Sequence, residues 1–309
     1  MTTPNYTETL RQAVTQVLGA PPDDAPLDAQ MLDVQTADGI RREHLKYQVA
    51  PGDWGCAYLL RPEGGNAALP TVYLHHQHNY TYNLGKTEIL NMGGVNLGEE
   101  LVRQGYAVFA PDALGFGERR SPHSTGADYD REYNTNHLTV RLLRGETLLR
   151  KVIWDVSRGV DYLLTRADVD PRRIAFMGSG YGARMALWAM ALDTRIRAGV
   201  AYGGIGSMKE NVRRGVWFTP EFIVPRLMQV ADIHHILSLV APRPFLISVA
   251  ADDPVTADAE DVYRRALPSY ERGGAAHRLA LYQYEGAFSL NRVMRFNAYA
   301  WLNSWLKGY

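Results

Sequence analysis

Five residues, Gly178-Ser179-Gly180-Tyr181-Gly182, stand between an apolar run ending at Met177 and a helix-like run from Met185 to Leu192. A strand that turns into a helix through glycines at this spacing has the frame of a nucleophile elbow. Glycines two before and two after the central residue let strand and helix approach closely. The central residue is held in an unfavourable backbone conformation that points its side chain into a site. Here that residue is Gly180, which has no side chain to attack with. Ser179 comes one place too early, since taking it as nucleophile would put Met177 and Tyr181 where the flanking glycines must be. Main-chain chemistry survives the loss: the N–H of Tyr181, with a donor from the loop after Leu74, is expected to form an oxyanion hole.

Other residues invite comparison. His76-Gln77-His78 closes an apolar run, and alternate side chains of a strand share one face, so the two imidazoles can converge. A metal needs three or four ligands at defined geometry. His123, His137, His234 and His235 are the remaining candidates, and no carboxylate lies at a matching spacing. The expectation is therefore no metal and no cofactor, with the histidines as pocket wall or hydrogen-bonding groups. Glu118-Arg119 follows another apolar run. An acid–base role for Glu118 competes with a structural Glu–Arg contact that fixes the loop, and the structural contact is expected. Trp217, Phe218 and Phe222 either line a substrate cleft or bury their segment against the body, and Arg213-Arg214 reads as a solvated face.

The elements that must position these residues follow from periodicity. A helix is expected from about Tyr6 to Leu18, then a Pro/Asp-rich linker over Ala20–Asp28. Leu32–Gln35, His44–Val49 and Cys56–Leu60 read as antiparallel strands separated by Gly, Pro and Asp turns. Buried-strand runs recur at Thr71–His75, Ala107–Ala110, Ile174–Met177, Ala198–Tyr202, Phe245–Val249 and Arg278–Tyr282. Between them Leu149, Val152, Ile153, Val156, Val160 and Leu163 return every three to four positions, one face of a helix. Val293, Phe296, Ala300 and Trp301 do the same over Arg292–Lys307. Parallel strands need crossovers, so this order implies a mostly parallel sheet covered on both faces. Ile205–Ala231, rich in Arg, Trp, Phe and Pro, breaks the alternation and is expected to cap the carboxyl ends of the strands, where chemistry sits in such sheets.

Several long segments resemble the dienelactone-hydrolase and acetyl-xylan-esterase-like branch of the α/β-hydrolases. They are Leu74–Glu88, with His76-Gln77-His78 and Gly85-Lys86-Thr87-Glu88; Pro111–Arg119; Arg144–Gly182; Ala189–Arg197; Ala241-Pro242-Arg243-Pro244; and Trp301–Leu306. The resemblance covers roughly residues 45 to 306 and implies the α/β-hydrolase fold, a mostly parallel sheet of about eight strands with flanking helices and a small cap. It would form one domain over 29–309, with its cap at about 205–231 and the helix and linker of 1–28 before it. The family's serine falls on Gly180. Its acid falls on Asp253, with Asp252 as the neighbouring alternative. Its histidine, in the turn Tyr284-Glu285-Gly286-Ala287-Phe288-Ser289-Leu290, falls on Phe288. The resemblance also gives the loop histidines a place on the oxyanion side of the pocket, which assigns pocket or oxyanion positions to His76, Gln77, His78, Ser179, Tyr181 and Glu118. Two of three triad members are then missing. A hydroxyl attacks a carbonyl only when an imidazole takes its proton, and the carboxylate only orients that imidazole.

Bulk composition narrows the partners. Lys+Arg and Asp+Glu are both 33, so no basic footprint for nucleic acid or an anionic membrane exists. No apolar run is long enough to span a bilayer, and Met1–Thr9 lacks a basic-then-apolar leader pattern. The single cysteine, Cys56, cannot pair within the chain, and a reducing cytoplasmic setting is the expectation, with Cys56 a small buried hydrophobe in its strand. The leading functional expectation is a non-catalytic pseudo-hydrolase that binds a small molecule or a protein. The alternatives are a hydrolase or a lyase/isomerase with a different catalytic set, and a structural subunit; fold alone does not choose among them.

Overall fold

The computed structural model describes residues 6–65, 67–78, 81–91 and 94–308. Met1–Asn5 of the leader reading, and Asn79 and Tyr80 of the Leu74–Glu88 segment, lie outside the described residues. Helix α1 (Tyr6–Leu18) precedes three antiparallel strands, β1 (Gln30–Ala37), β2 (Ile40–Ala50) and β3 (Asp53–Pro62). The chain then alternates: β4 (Leu69–His75), α2 (Leu97–Arg103), β5 (Ala107–Pro111), α3 (Ala127–Leu143), α4 (Leu148–Leu164), β6 (Val169–Ser179), α5 (Tyr181–Leu192) and β7 (Ala198–Tyr202). After β7 come α6 (Met208–Arg213), α7 (Leu227–Val230), α8 (Ile233–Ser238), β8 (Phe245–Ala250), α9 (Ala259–Glu271), β9 (Leu279–Tyr284) and α10 (Arg292–Leu306).

Among the described residues nine strands form one sheet in the order β1-β2-β3-β5-β4-β6-β7-β8-β9, one for each of the nine runs read from the sequence, where the resemblance implied about eight. Every pair from β5 through β4, β6, β7 and β8 to β9 is parallel. Because these central strands are buried on both faces, neighbouring residues point into different cores. Tyr73, Ile174 and Phe176 join the cluster under α4 and α5, while Val72, Leu74, Ala175 and Met177 join the one under α2 and α10. The helices that cover the sheet are capped by short polar side chains. Thr147 accepts the Arg150 N–H at the start of α4, and Asn291 accepts the Met294 N–H at the start of α10, each satisfying a donor that has no partner inside the helix.

β4 lies between β5 and β6, and the chain leaves β4 toward one edge of the sheet and β6 toward the other. Connections that diverge from adjacent parallel strands open a crevice at their carboxyl ends, which is where such sheets bind ligands. His75–His78 and Gly178–Gly182 are the two sequence segments at that crevice.

Candidate functional site

β6 ends at Ser179, and α5 starts at Tyr181. Gly180 between them has φ +53° and ψ −104°, a conformation that residues with a Cβ adopt only under strain. The three glycines of this turn are held for different reasons. A Cβ on Gly178 would lie 2.3 Å from the carbonyl carbon of Gly182, and one on Gly182 would lie 2.4 Å from the His75 carbonyl oxygen. Those two are dictated by the contact of β6, α5 and the end of β4. A Cβ on Gly180 would meet only the Gln77 Cβ, at 3.7 Å. Space for a side chain is present at the turn's apex.

Gly180, Asp253 and Phe288 line one cavity of about 240 Å³, with Gln77, His78, Tyr181 and Arg184 also on its walls. Asp253 follows β8 and opens a 3-10 turn, where its carboxylate accepts the Val255 N–H at 3.0 Å and the Thr256 hydroxyl at 3.0 Å. Asp252 is exposed and does not reach the cavity. The Phe288 ring packs on the core cluster under α10. A single point beside Gly203, where its Cβ would be, lies 3.1 Å from the ring and 3.6 Å from the Asp253 Oδ2. The aromatic ring and the carboxylate are neighbours.

Three residues assigned to the pocket from sequence stand outside it. His76 is fully buried. Its Nε2 accepts the Ala113 N–H at 3.0 Å, so its Nδ1 carries the proton and donates to the Gln77 carbonyl at 2.8 Å. It ties the β4 loop to the loop after β5 and does not line the cavity. Ser179 is 2% exposed, and its hydroxyl makes no hydrogen bond among the described residues. It is the last residue of β6, paired with Tyr202, and the strand's pleat turns it inward. Glu118 does not line the cavity either. Its carboxylate bonds the Lys86 ammonium and the His44 Nε2, the latter at 2.8 Å. The expected Glu118–Arg119 contact is absent among the described residues, because Arg119 is drawn to Asp155 at 2.8 Å and Asp53 at 3.1 Å.

His78 and Gln77 remain at the cavity. Burial, reinforced by the Arg184 charge, pushes His78 down to about 4, so it is neutral at pH 7. Gln77 is committed to Glu88: its backbone N–H bonds Oε2 at 3.1 Å and its amide bonds Oε1 at 2.8 Å. That leaves the first N–H groups of α5 as main-chain donors here, since Gly180 brings no side-chain cap. The Tyr181 ring turns into the core among His75, Phe116 and Phe222. Trp217 lines the cavity, whereas Phe222 is buried and Arg213 is exposed and paired with Glu210. Among the described residues no group of three or more His, Cys, Asp or Glu is placed to hold a metal.

Sequence reasoning gave no role to Arg184 and passed over Gly203, Gly204 and Thr219, which also line the cavity. Arg184 had a readable signal, because it stands four residues after Gly180 and so faces the same side of the helix. Its Nε donates to the Gly204 carbonyl at 3.2 Å. The buried Lys86–Asp112 pair, at 2.6 Å, was also missed. Burial opposes its charge, but the Asp112 and Glu118 carboxylates outweigh that and hold the Lys86 ammonium above its ordinary range. Cys56 is half-buried rather than buried, because β3 turns Gly55, Ala57 and Leu59 inward instead; burial pushes its thiol up to about 11.

The parallel sheet, the strand–turn–helix at the end of β6 and the cavity at the β4/β6 crevice define a protein of the α/β-hydrolase fold. Residues 89–307 match the dienelactone hydrolase family, and the chain belongs to that family. Over 307 residues it is 28% identical to YtaP of Bacillus subtilis (strain 168), a protein named as a hydrolase, covering 96% of this chain and 98% of YtaP. Its fold is shared with a Bacteroides fragilis protein described as an acetyl xylan esterase (BF1801), with a TM-score of 0.74 and 18% identity, covering 96% of this chain and 81% of the other. A glucuronoyl esterase from Solibacter usitatus matches with a TM-score of 0.69 and 16% identity, covering 97% and 92%. These two structural likenesses are ones of fold. Among the described residues no helix is long and apolar enough to cross a membrane.

Proposed function

We propose that this chain is a non-catalytic member of its esterase-like family and holds a small molecule in the elbow cavity without hydrolysing it. Gly180 occupies the nucleophile's place, Asp253 the acid's and Phe288 the histidine's. The observation that carries the reading is Gly180 itself, at the apex of the turn with φ +53° and an open cavity before it. A carbonyl brought to that point meets the N–H groups of α5, but position 180 offers no hydroxyl and position 288 no imidazole. Electrostatic stabilisation alone leaves roughly 10³–10⁴-fold over water in serine proteases stripped of their triad, far below a working esterase. The open cavity supports a binding role over a purely structural one.

A substitute catalytic set finds little support. Glu118 is held by Lys86 and His44 away from the cavity. His78 reaches it, but a base whose conjugate acid titrates near 4 has little driving force to take a proton from water. The test is exposure of the purified protein to a serine-directed phosphonate probe and to an activated acetate ester. The expected result is no covalent adduct by intact-mass spectrometry and turnover at the level of buffer. Stoichiometric labelling that disappears in Ser179→Ala would overturn the reading, as would ester turnover well above buffer.

A further inference from the structure

The elbow cavity does not end at its own wall. The segment between β7 and α8 carries an open groove of about 570 Å³, with Val212, Trp217, Ile223, Val224 and Met228 among its lining. Trp217 lines both the groove and the elbow cavity. Phe222 borders the groove as well, and its ring lies 5.1 Å from the guanidinium of Arg184, which faces the elbow. Four large apolar side chains of this short segment stand in solvent: Val212 is 55% exposed, Trp217 58%, Ile223 40% and Met228 39%. Apolar surface gathered this way marks a place that something apolar covers.

The inner end has the opposite character and carries no charge preference. Arg184 and Asp253 both line it with opposite signs, and His78 is neutral there. An anionic head would face the Asp253 carboxylate, and a cationic one would face Arg184. A neutral, hydrogen-bonding group faces neither penalty. The pairing of a charge-balanced polar end with an apolar groove matches one extended molecule better than two separate ligands.

We propose that cavity and groove together take a single neutral carbonyl compound, an ester or amide with an unbranched apolar chain. Its carbonyl lies at Gly180, and its chain runs past Trp217 toward Ile223 and Met228. This rests on the non-hydrolytic reading, because the occupant must stay intact.

The experiment is isothermal titration of the full chain with ethyl acetate, butanoate, hexanoate and octanoate, with N-ethyloctanamide as a ligand that resists hydrolysis. Dissociation constants are expected to fall about fourfold per added methylene from butanoate to octanoate. Octanoate anion should bind more weakly than its ethyl ester. Ile223→Glu and Met228→Glu alter half-exposed positions that the fold tolerates. Both are expected to keep native circular dichroism and short-ester binding while losing the chain-length increment. The proposal is overturned by affinity that is flat with chain length, by glutamate variants that retain the increment, or by tighter binding of octanoate than of its ester. Gas chromatography of the same samples separates the two readings. Consumed ester defeats the non-hydrolytic assignment, while N-ethyloctanamide still reports whether the groove takes the chain.

Discussion

The proposed assignment of positions 180 and 288 meets a demanding test in Gly180→Ser and Phe288→His, made singly and together. Space is not the obstacle at Gly180, since a Cβ there has Gln77 as its one neighbour, at 3.7 Å. The obstacle is the backbone, because a non-glycine residue at φ +53° and ψ −104° costs about 1–3 kcal/mol. At position 288 the ring already borders Asp253, so an imidazole there can be oriented by a carboxylate that is still in the chain. The cost is a polar ring placed where an apolar one now packs on the core under α10. In serine proteases removing the serine or the histidine alone costs nearly as much as removing the whole triad, about 10⁶ in kcat. Each single variant should therefore stay near wild type, and the pair should be strongly non-additive. A misplacement of about 1 Å forfeits about 10²-fold. The double variant is thus expected at about 10²–10⁴ above either single, far short of an evolved triad. The assay is steady-state turnover of a short acyl ester by wild type, both singles and the double. A fifth form, the double variant with Asp253→Asn, should lose most of the gain. Wild-type turnover equal to the double, or Gly180→Ser alone equal to it, would refute the assignment of these positions.

Three further outcomes follow from the geometry. Gly182→Ala should fail to fold or melt far below wild type, because its Cβ would sit 2.4 Å from the His75 carbonyl oxygen; native melting would show that the elbow is looser than described. Lys86→Met strands the buried Asp112 carboxylate and should cost about 3–5 kcal/mol in urea unfolding, with a value under 1 showing that the pair is dispensable. Stability should fall with acid well above the carboxylate range. Burial depresses His75 to about 3 and His76 to about 4, so between pH 6.5 and about 4 the unfolded chain binds protons that the folded one refuses. Each should remove about 2 kcal/mol between pH 7 and 5, then level off below its folded value; equal unfolding free energies at pH 7 and 5 would refute this.

The central strands and the elbow were legible in the sequence because their signals are local. Ile174–Met177 is an uninterrupted apolar run, and the following glycines punctuate it at a spacing that only a tight strand-to-helix turn requires. Asp253 and Phe288 were legible only through family resemblance, since nothing local marks a cavity wall 73 and 108 residues after Gly180. Beyond the cavity wall, helix α3 and the Lys86–Asp112 pair stayed hidden for one physical reason: polar residues are used as core. Helix α3 buries Asp130, Asn134 and Leu138, a correct four-residue repeat in which two of three members are hydrophilic. Hydrophobic periodicity is blind to it. Asn134 is inside because its amide satisfies the Gly115 carbonyl, at 3.3 Å, in the loop after β5. Lys86 and Asp112 were hidden for the same reason, as charges 26 residues apart that read as surface until the fold joins them.

The three glycines of the elbow play separable parts in shaping the cavity. Gly178 and Gly182 are required by close approach of β6, α5 and the end of β4, whatever stands between them. Gly180 is not required by any contact, and its identity changes only the strain at the turn and the presence of a side chain. A serine there would bear a left-handed backbone held in place by its neighbours, whereas glycine adopts the same angles freely. Glycine in place of serine at the apex therefore removes strain without requiring any shift of the strand, the helix or the donors at the helix start. The shape that would bind a carbonyl is set by the flanking glycines, whereas an attacking side chain can come only from the central residue and would still need a base beside it. The two separate at this position, which is why the proposed binding role needs no change in the frame that shapes the cavity.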